Sequence, residues 1–126
     1  MNILIIDSKT TRRHALQNSM LNLGFALPSI DGTTGGEDIR MRLENKKYSA
    51  IFIYAENTQY YHWEDVLEIV KLNENYDSIV LIALHDKPTK EIVIKSYEAG
   101  ASGFLKSPCS DDDIKKSLSL LMGDDQ

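Results

Sequence analysis

Apolar runs of strand length alternate with helix-period segments along the whole chain. Asn2–Ile6 is a continuous apolar run, too short for a helix and too apolar for a half-exposed strand, so it reads as a buried parallel strand. Thr10–Leu23 follows as a helix with Ala15, Leu16, Met20, Leu21 and Leu23 among polar residues, stopped by Gly24. Phe25–Ile30 is read as a second strand, with Pro28 restricting it to an edge or a strand end. Thr34–Asn45 forms a second helix carrying Ile39 and Leu43 on one face, and Gly35-Gly36 blur its start. Tyr48–Tyr54 is a third strand that runs into a polar loop reaching His62.

Trp63–Asn73 repeats apolar residues at helical spacing through Val66, Leu67, Ile69 and Val70. Ser78–Leu84 is the most apolar strand and is expected at the sheet centre. Thr89–Ala99 is a helix between Pro88 and Gly100, and Ser102–Lys106 a short last strand. Ser110 is the N-cap expected for a final helix, with Asp111, Asp112 and Asp113 at its positive end. Ile114, Leu118 and Leu121 supply that helix's buried face, and Gly123 closes it. Five β/α units in this order predict a doubly wound parallel α/β domain, covered on both faces by right-handed crossovers.

A chain of 126 residues fits one domain, 1–126, and buries about two-thirds of its unfolded surface. Its 42% hydrophobic and 26% charged content is that of an ordinary globular protein. No run spans a membrane, and the amino terminus lacks the basic region of a signal peptide. The one cysteine, Cys109, excludes an intrachain disulfide and agrees with a cytoplasmic setting, where it is expected to be a structural thiol. A net charge of −5 without a basic run argues against direct nucleic-acid binding, leaving Arg12-Arg13 and Lys46-Lys47 as ordinary solvated pairs.

Ligands of doubly wound sheets sit beyond the strands' carboxyl ends. Those ends are Asp7-Ser8, Tyr54-Ala55-Glu56, Ala83-Leu84-His85-Asp86 and Lys106-Ser107-Pro108. Around them the chain resembles the receiver domains of bacterial two-component response regulators, of the CheY type. Ile3-Leu4-Ile5-Ile6-Asp7 is similar to their opening strand, with Thr11 and Arg13 where chemotaxis receivers often carry Thr and Arg. Leu23-Gly24-Phe25, Gly100-Ala101-Ser102-Gly103-Phe104 and Pro108 continue the resemblance over essentially the full length. It implies a flavodoxin-like (βα)5 fold with strand order 2-1-3-4-5.

The resemblance also implies a five-residue site. An acid pair and an aspartate hold a divalent cation, the aspartate accepts phosphoryl, and a hydroxyl and a lysine bind the phosphoryl oxygens. Asp7 matches the first acid. Ser8 stands at the second acid, Tyr54 at the phosphoacceptor, Ala83 at the hydroxyl and Ser107 at the lysine. Counting back from Gly100 puts His85, in place of Ala83, at the fourth position. Glu56 and Lys106 are the neighbours that could rescue the site, although a one-residue slip should turn Lys106 away.

The expectation is therefore a pseudo-receiver: a phosphorylation-independent protein-interaction module, not an enzyme, with no cofactor and no metal. The resemblance implies a partner or a second copy on the face of helix 4, strand 5 and helix 5, about Thr89 to Leu121, centred on Phe104 and Lys106. Two alternatives stay open: a crevice that senses a small ligand or metal, and phosphorylation at Glu56 or Asp7. The histidines His14, His62 and His85 lack ligand spacing and read as solvated. Ser8-Lys9-Thr10-Thr11 lacks the glycine of a flavin-phosphate loop, so Ser8 or Thr10 is expected to cap the first helix. Tyr60-Tyr61-His62-Trp63 is either an interface or a lid on the crevice. Whether an output domain follows Gln126 is left open.

Overall fold

The computed structural model describes residues 1–37 and 39–121, with side chains through Ser119. The chain runs β1 (Ile3–Ile6), α1 (Thr10–Asn22), β2 (Ile30–Thr33), α2 (Ile39–Asn45) and β3 (Ala50–Tyr54). It continues through α3 (Trp63–Lys71), β4 (Val80–His85), α4 (Lys90–Glu98), β5 (Gly103–Lys106) and α5 (Asp111–Leu121). The five strands are parallel, in the order β2-β1-β3-β4-β5, the flavodoxin-like arrangement.

Strand periodicity builds two cores from one sheet, because successive side chains point to opposite faces. Leu4, Ile6, Ile51, Ile53, Leu81 and Ala83 face Ile39 and Leu43 of α2 and Val66, Leu67 and Val70 of α3. Ile3, Ile5, Phe52, Tyr54, Ile82 and Leu84 face Leu16 and Met20 of α1 and Ile114 and Leu118 of α5. Burial on both faces is why β1 and β3 are apolar without alternation.

Helix ends follow local chemistry. Thr89 Oγ1 accepts from Ile92 N at the start of α4. Ser110 Oγ accepts from Asp113 N while the Asp113 carboxylate accepts from Ser110 N, a reciprocal cap. Gly24 and Gly100, both at positive φ, follow the last turns of α1 and α4.

Several boundaries differ from expectation. The second strand is Ile30–Thr33 and not Phe25–Ile30. Phe25 packs against the α1/α5 core instead, and Pro28 lies in a 3₁₀ turn, Leu27–Ser29, where its fixed φ and missing N–H cost nothing. Asp31 and Gly32 are tolerated because β2 is an edge strand, and a Cβ on Gly32 would lie 3.4 Å from Arg13 Cδ. The second helix starts at Ile39, not Thr34. Gly35 has φ +90°, and a Cβ there would lie 2.5 Å from the Tyr61 ring, so this segment is a loop packed under an aromatic. The third helix stops at Lys71, two residues before Asn73, and β4 extends to His85. Neither Ser8 nor Thr10 caps α1: Lys9 holds the N-cap position without a side-chain bond, Ser8 Oγ bonds Glu56, and Thr10 Oγ1 accepts from Arg13. Lys46 is not a freely solvated charge, since its Nζ pairs with Asp31 at 3.0 Å. The Leu121 side chain and Gly123 lie outside what is described.

Phe52 is fully buried between β1 and β4. Phe52→Ala is expected to cost about 3–5 kcal/mol in urea unfolding. Leu72→Ala, at a residue 77% exposed, is expected to stay within about 0.5 kcal/mol of wild type in the same assay.

Candidate functional site

The carboxyl ends of β1, β3 and β4 converge on one crevice, floored by Tyr54. Asp7 ends β1 almost completely buried, at 2% exposure. Its Oδ1 accepts from Lys9 N at 2.9 Å, which turns the chain into α1. From the first turn of that helix, Arg12 reaches back over the strand ends. Its Nε donates to Asp7 Oδ2 at 2.7 Å and its Nη2 to Asp7 Oδ1 at 2.7 Å, a bidentate pair. The same Nη2 donates to Glu56 Oε1 at 2.9 Å, and Ser8 Oγ donates to that oxygen at 2.8 Å. The guanidinium carbon lies 3.5 Å above the Tyr54 ring centroid, a cation–π contact.

The other side of the Tyr54 ring meets His85, stacked with centroids 5.4 Å apart and planes 27° apart. The phenol donates to Asp86 Oδ1 at 2.8 Å and accepts from Asp86 N at 3.1 Å. Tyr54 therefore ties the end of β3 to the β4–α4 loop through both the side chain and the backbone of one residue. His85 Nδ1 accepts from Lys87 N at 3.0 Å, which shapes the same loop. From the β3–α3 side, Tyr61 donates its hydroxyl to Tyr54 O at 2.9 Å.

The electrostatics follow from these contacts. Burial works against the charge on Arg12, but its bonds to Asp7, and then the charges of Asp7 and Glu56, hold its pKa above the ordinary value. Burial, reinforced by the Asp86 carboxylate, raises the Tyr54 phenol. The bond from Tyr54 lowers Asp86. Burial, with Asp7 and Glu56 nearby, pushes Tyr61 up as well. Both tyrosines are neutral donors at physiological pH.

Of the sequence candidates, Asp7, Ser8, Tyr54 and Glu56 meet here, and Ser107 lines a cleft of about 190 Å³ beside them with Thr11, Arg12 and Cys109. Ala83 does not take part. It is fully buried on the other face of β4, paired with Ile53, and His85 is the residue beside Tyr54. Of the two residues that the sequence offers for the fourth position, His85 is therefore the one that touches Tyr54. His85 is accordingly a packed ring and not a solvated one. Lys106 is exposed and does not line the cleft, as its strand parity requires. Phe104 is partly buried against the α2/α3 core. Tyr61 and Trp63 are core residues, at 6% and 5% exposure, whereas Tyr60 is 45% exposed. Burial raises the Cys109 thiol. Among the described residues no group of three or more His, Cys, Asp or Glu could hold a metal ion.

Sequence reasoning missed Arg12 and Asp86. Arg12 and Arg13 read as solvated charges, yet the Arg12 side chain is only 21% exposed, and Arg13 Nη1 donates to Asp7 O at 2.6 Å. A signal existed: two cations in the first turn of a helix face the positive end of its dipole, which is unfavourable unless an anion holds them. Asp86 gave no signal beyond its place at a strand end.

No family model matches the chain. Chemotaxis protein CheY1 of Helicobacter pylori is 22% identical over 125 residues, covering 98% of each chain. The structure of CheY4 of Vibrio cholerae superposes with a TM-score of 0.82 at 14% identity, covering 95% of this chain and 97% of that one. An atypical orphan response regulator, whose structure is described as revealing a phosphorylation-independent mechanism, superposes with a TM-score of 0.75 at 20% identity over 98% and 97%. The chain has the fold and strand order of CheY-like response-regulator receiver domains and is similar to a chemotaxis CheY protein over almost its full length. No described helix is long and apolar enough to cross a membrane.

Tyr54→Phe removes the tie to Asp86, and loss of that hydrogen bond is expected to cost about 0.5–1.5 kcal/mol in urea unfolding. Amide exchange at Asp86 and Lys87 is expected to accelerate selectively. Because folding raises the phenol's pKa, its contribution is complete below the unfolded value of about 10 and is lost as pH rises through the folded value. Wild type is therefore expected to lose stability relative to Tyr54→Phe only in alkaline solution, read from paired unfolding curves.

Proposed function

We propose that this receiver domain works as a phosphorylation-independent protein-interaction module. The observation that carries the reading is Tyr54, which stands at the phosphoacceptor's place with its phenol closed onto Asp86. A phenol of raised pKa, already donating, is a poor nucleophile toward phosphoryl. Tyr54 also holds the β4–α4 loop, which leaves one conformation of that loop favoured without any modification. The remaining acids do not offer an open alternative. Asp7 is buried in the Arg12 pair, and Glu56 Oε1 carries bonds from both Ser8 and Arg12. Phosphorylation at Asp7 or Glu56 would have to break those bonds first.

The interaction face is the one formed by α4, β5 and α5, with Phe104 and Lys106 at its centre. In support, Ile94 and Tyr97 on α4 are 46% and 50% exposed, an apolar pair one turn apart. A protein partner or a second copy of the chain covers them. A second reading, a small molecule sensed in the crevice, rests on the cleft of about 190 Å³ between α1 and the β5–α5 turn. A ligand there would raise the melting temperature by mass action, which a thermal-shift screen reads directly.

With beryllofluoride and Mg²⁺, amide spectra of the wild type are expected to show no saturable shifts around Asp7, Tyr54 and Asp86; such shifts would overturn phosphorylation independence. In sedimentation velocity, self-association through α4–β5–α5 is expected to depend on concentration and to be lost in Tyr97→Asp. A monomer at every concentration would remove the second copy as occupant.

A further inference from the structure

The fold class implies a divalent cation at this crevice, and the residues present do not fit one. Ser8 stands at the place of a ligating acid and spends its hydroxyl on Glu56. The two carboxylates that remain, Asp7 and Glu56, both point at the Arg12 guanidinium, at 2.7 Å and 2.9 Å. Mg²⁺ demands near-octahedral oxygen ligands and sheds water reluctantly, so it cannot share these oxygens with three N–H donors.

We propose that Arg12 is a tethered cation that has taken the divalent ion's place, making Asp7 and Glu56 a cation site whose occupant is part of the chain. This rests on the receiver-type crevice, but not on the identity of any partner. Guanidinium suits the role for three reasons. It keeps its charge at any physiological pH, and its planar fork matches the Asp7 carboxylate. Being weakly hydrated, it also stacks on Tyr54, which an ammonium or a hydrated Mg²⁺ does poorly. Tethering adds the decisive advantage, because a group held on α1 competes at a high effective concentration with any ion in solution.

The arrangement has a structural consequence. A diffusible ion reports on the surroundings of a crevice by coming and going. Arg12 instead bonds Asp7 just past β1 and Glu56 just past β3 from a third element, α1, so the cation site is filled whenever the protein is folded. Arg13 reinforces the placement by donating from the next helical position to the Asp7 carbonyl at 2.6 Å and to Thr10 Oγ1 at 3.1 Å. One Arg12 charge offsets only one of the two carboxylates, so a latent affinity for cations should remain beneath it.

Mn²⁺ titration of ¹⁵N-labelled protein, without any phosphoryl analogue, tests this separately from the reading above. Wild type is expected to show no saturable broadening at the amides of Asp7, Ser8 and Glu56 at millimolar Mn²⁺. Arg12→Ala is expected to gain saturable broadening there, at least about tenfold tighter than any wild-type response, since cation affinity follows the ligand charge left free. Arg12→Met, which keeps an unbranched apolar stem over Tyr54, provides the same readout if the alanine variant does not fold. In wild type itself the Arg12 Nε–H signal is expected to exchange slowly and to stay unmoved by Mg²⁺. The proposal is overturned if wild type takes up Mn²⁺ at these amides as tightly as a folded variant, if a folded variant gains nothing, or if Mg²⁺ shifts the Arg12 signal.

Discussion

The Arg12 guanidinium, gripped by Asp7 and Glu56 and stacked on Tyr54, is the interaction around which the crevice is organised. It settles how a strand end this apolar can carry a buried carboxylate. Asp7 at 2% exposure would be costly alone, and removing one partner of a buried pair typically costs about 3–5 kcal/mol. The constraint propagates outward. With Arg12 above it, Tyr54 can only extend toward β4, where its hydroxyl meets both the carboxylate and the amide of Asp86. Three strand ends and one helix are thereby joined by side chains of a single connected network.

That network fills the carboxyl ends of β1, β3 and β4 with groups that satisfy one another. The Arg12 guanidinium satisfies the Asp7 and Glu56 oxygens, the Tyr54 phenol satisfies Asp86, and the His85 imidazole packs on the Tyr54 ring. Ser107 lines the cleft on the α5 side without supplying a charge. Asp7, Arg12, Glu56 and Asp86 lie outside the two cores that hold the scaffold together, and Tyr54 links them to the α1/α5 core. A site of this kind can be remodelled with little effect on the fold.

Much of this was legible in the sequence. Strand and helix alternation, the doubly wound class and the places of Asp7, Ser8, Tyr54 and Ser107 follow from residue patterns and the resemblance they support. The errors have physical causes. β2 was misplaced because its polar residues, Asp31 and Gly32, occupy an edge strand, while the apolar Phe25 serves the core from outside the sheet. The start of α2 was placed early because Gly35 answers to Tyr61, a residue 26 positions later in the chain. The sequence does not show that His85 touches Tyr54, because β4 runs one residue past its apolar run to end on this histidine. Arg12 looks solvated in the sequence because two of its partners, Tyr54 and Glu56, lie more than forty residues away and only the fold brings them over it.

The self-satisfied crevice is expected to accept no phosphoryl group. The direct measurement is intact-mass analysis of the wild-type chain after incubation with acetyl phosphate and Mg²⁺, followed by peptide mapping. The account predicts an unmodified mass throughout. A stoichiometric, acid-stable or alkali-labile phosphoryl adduct on Asp7, Tyr54 or Glu56 would contradict it.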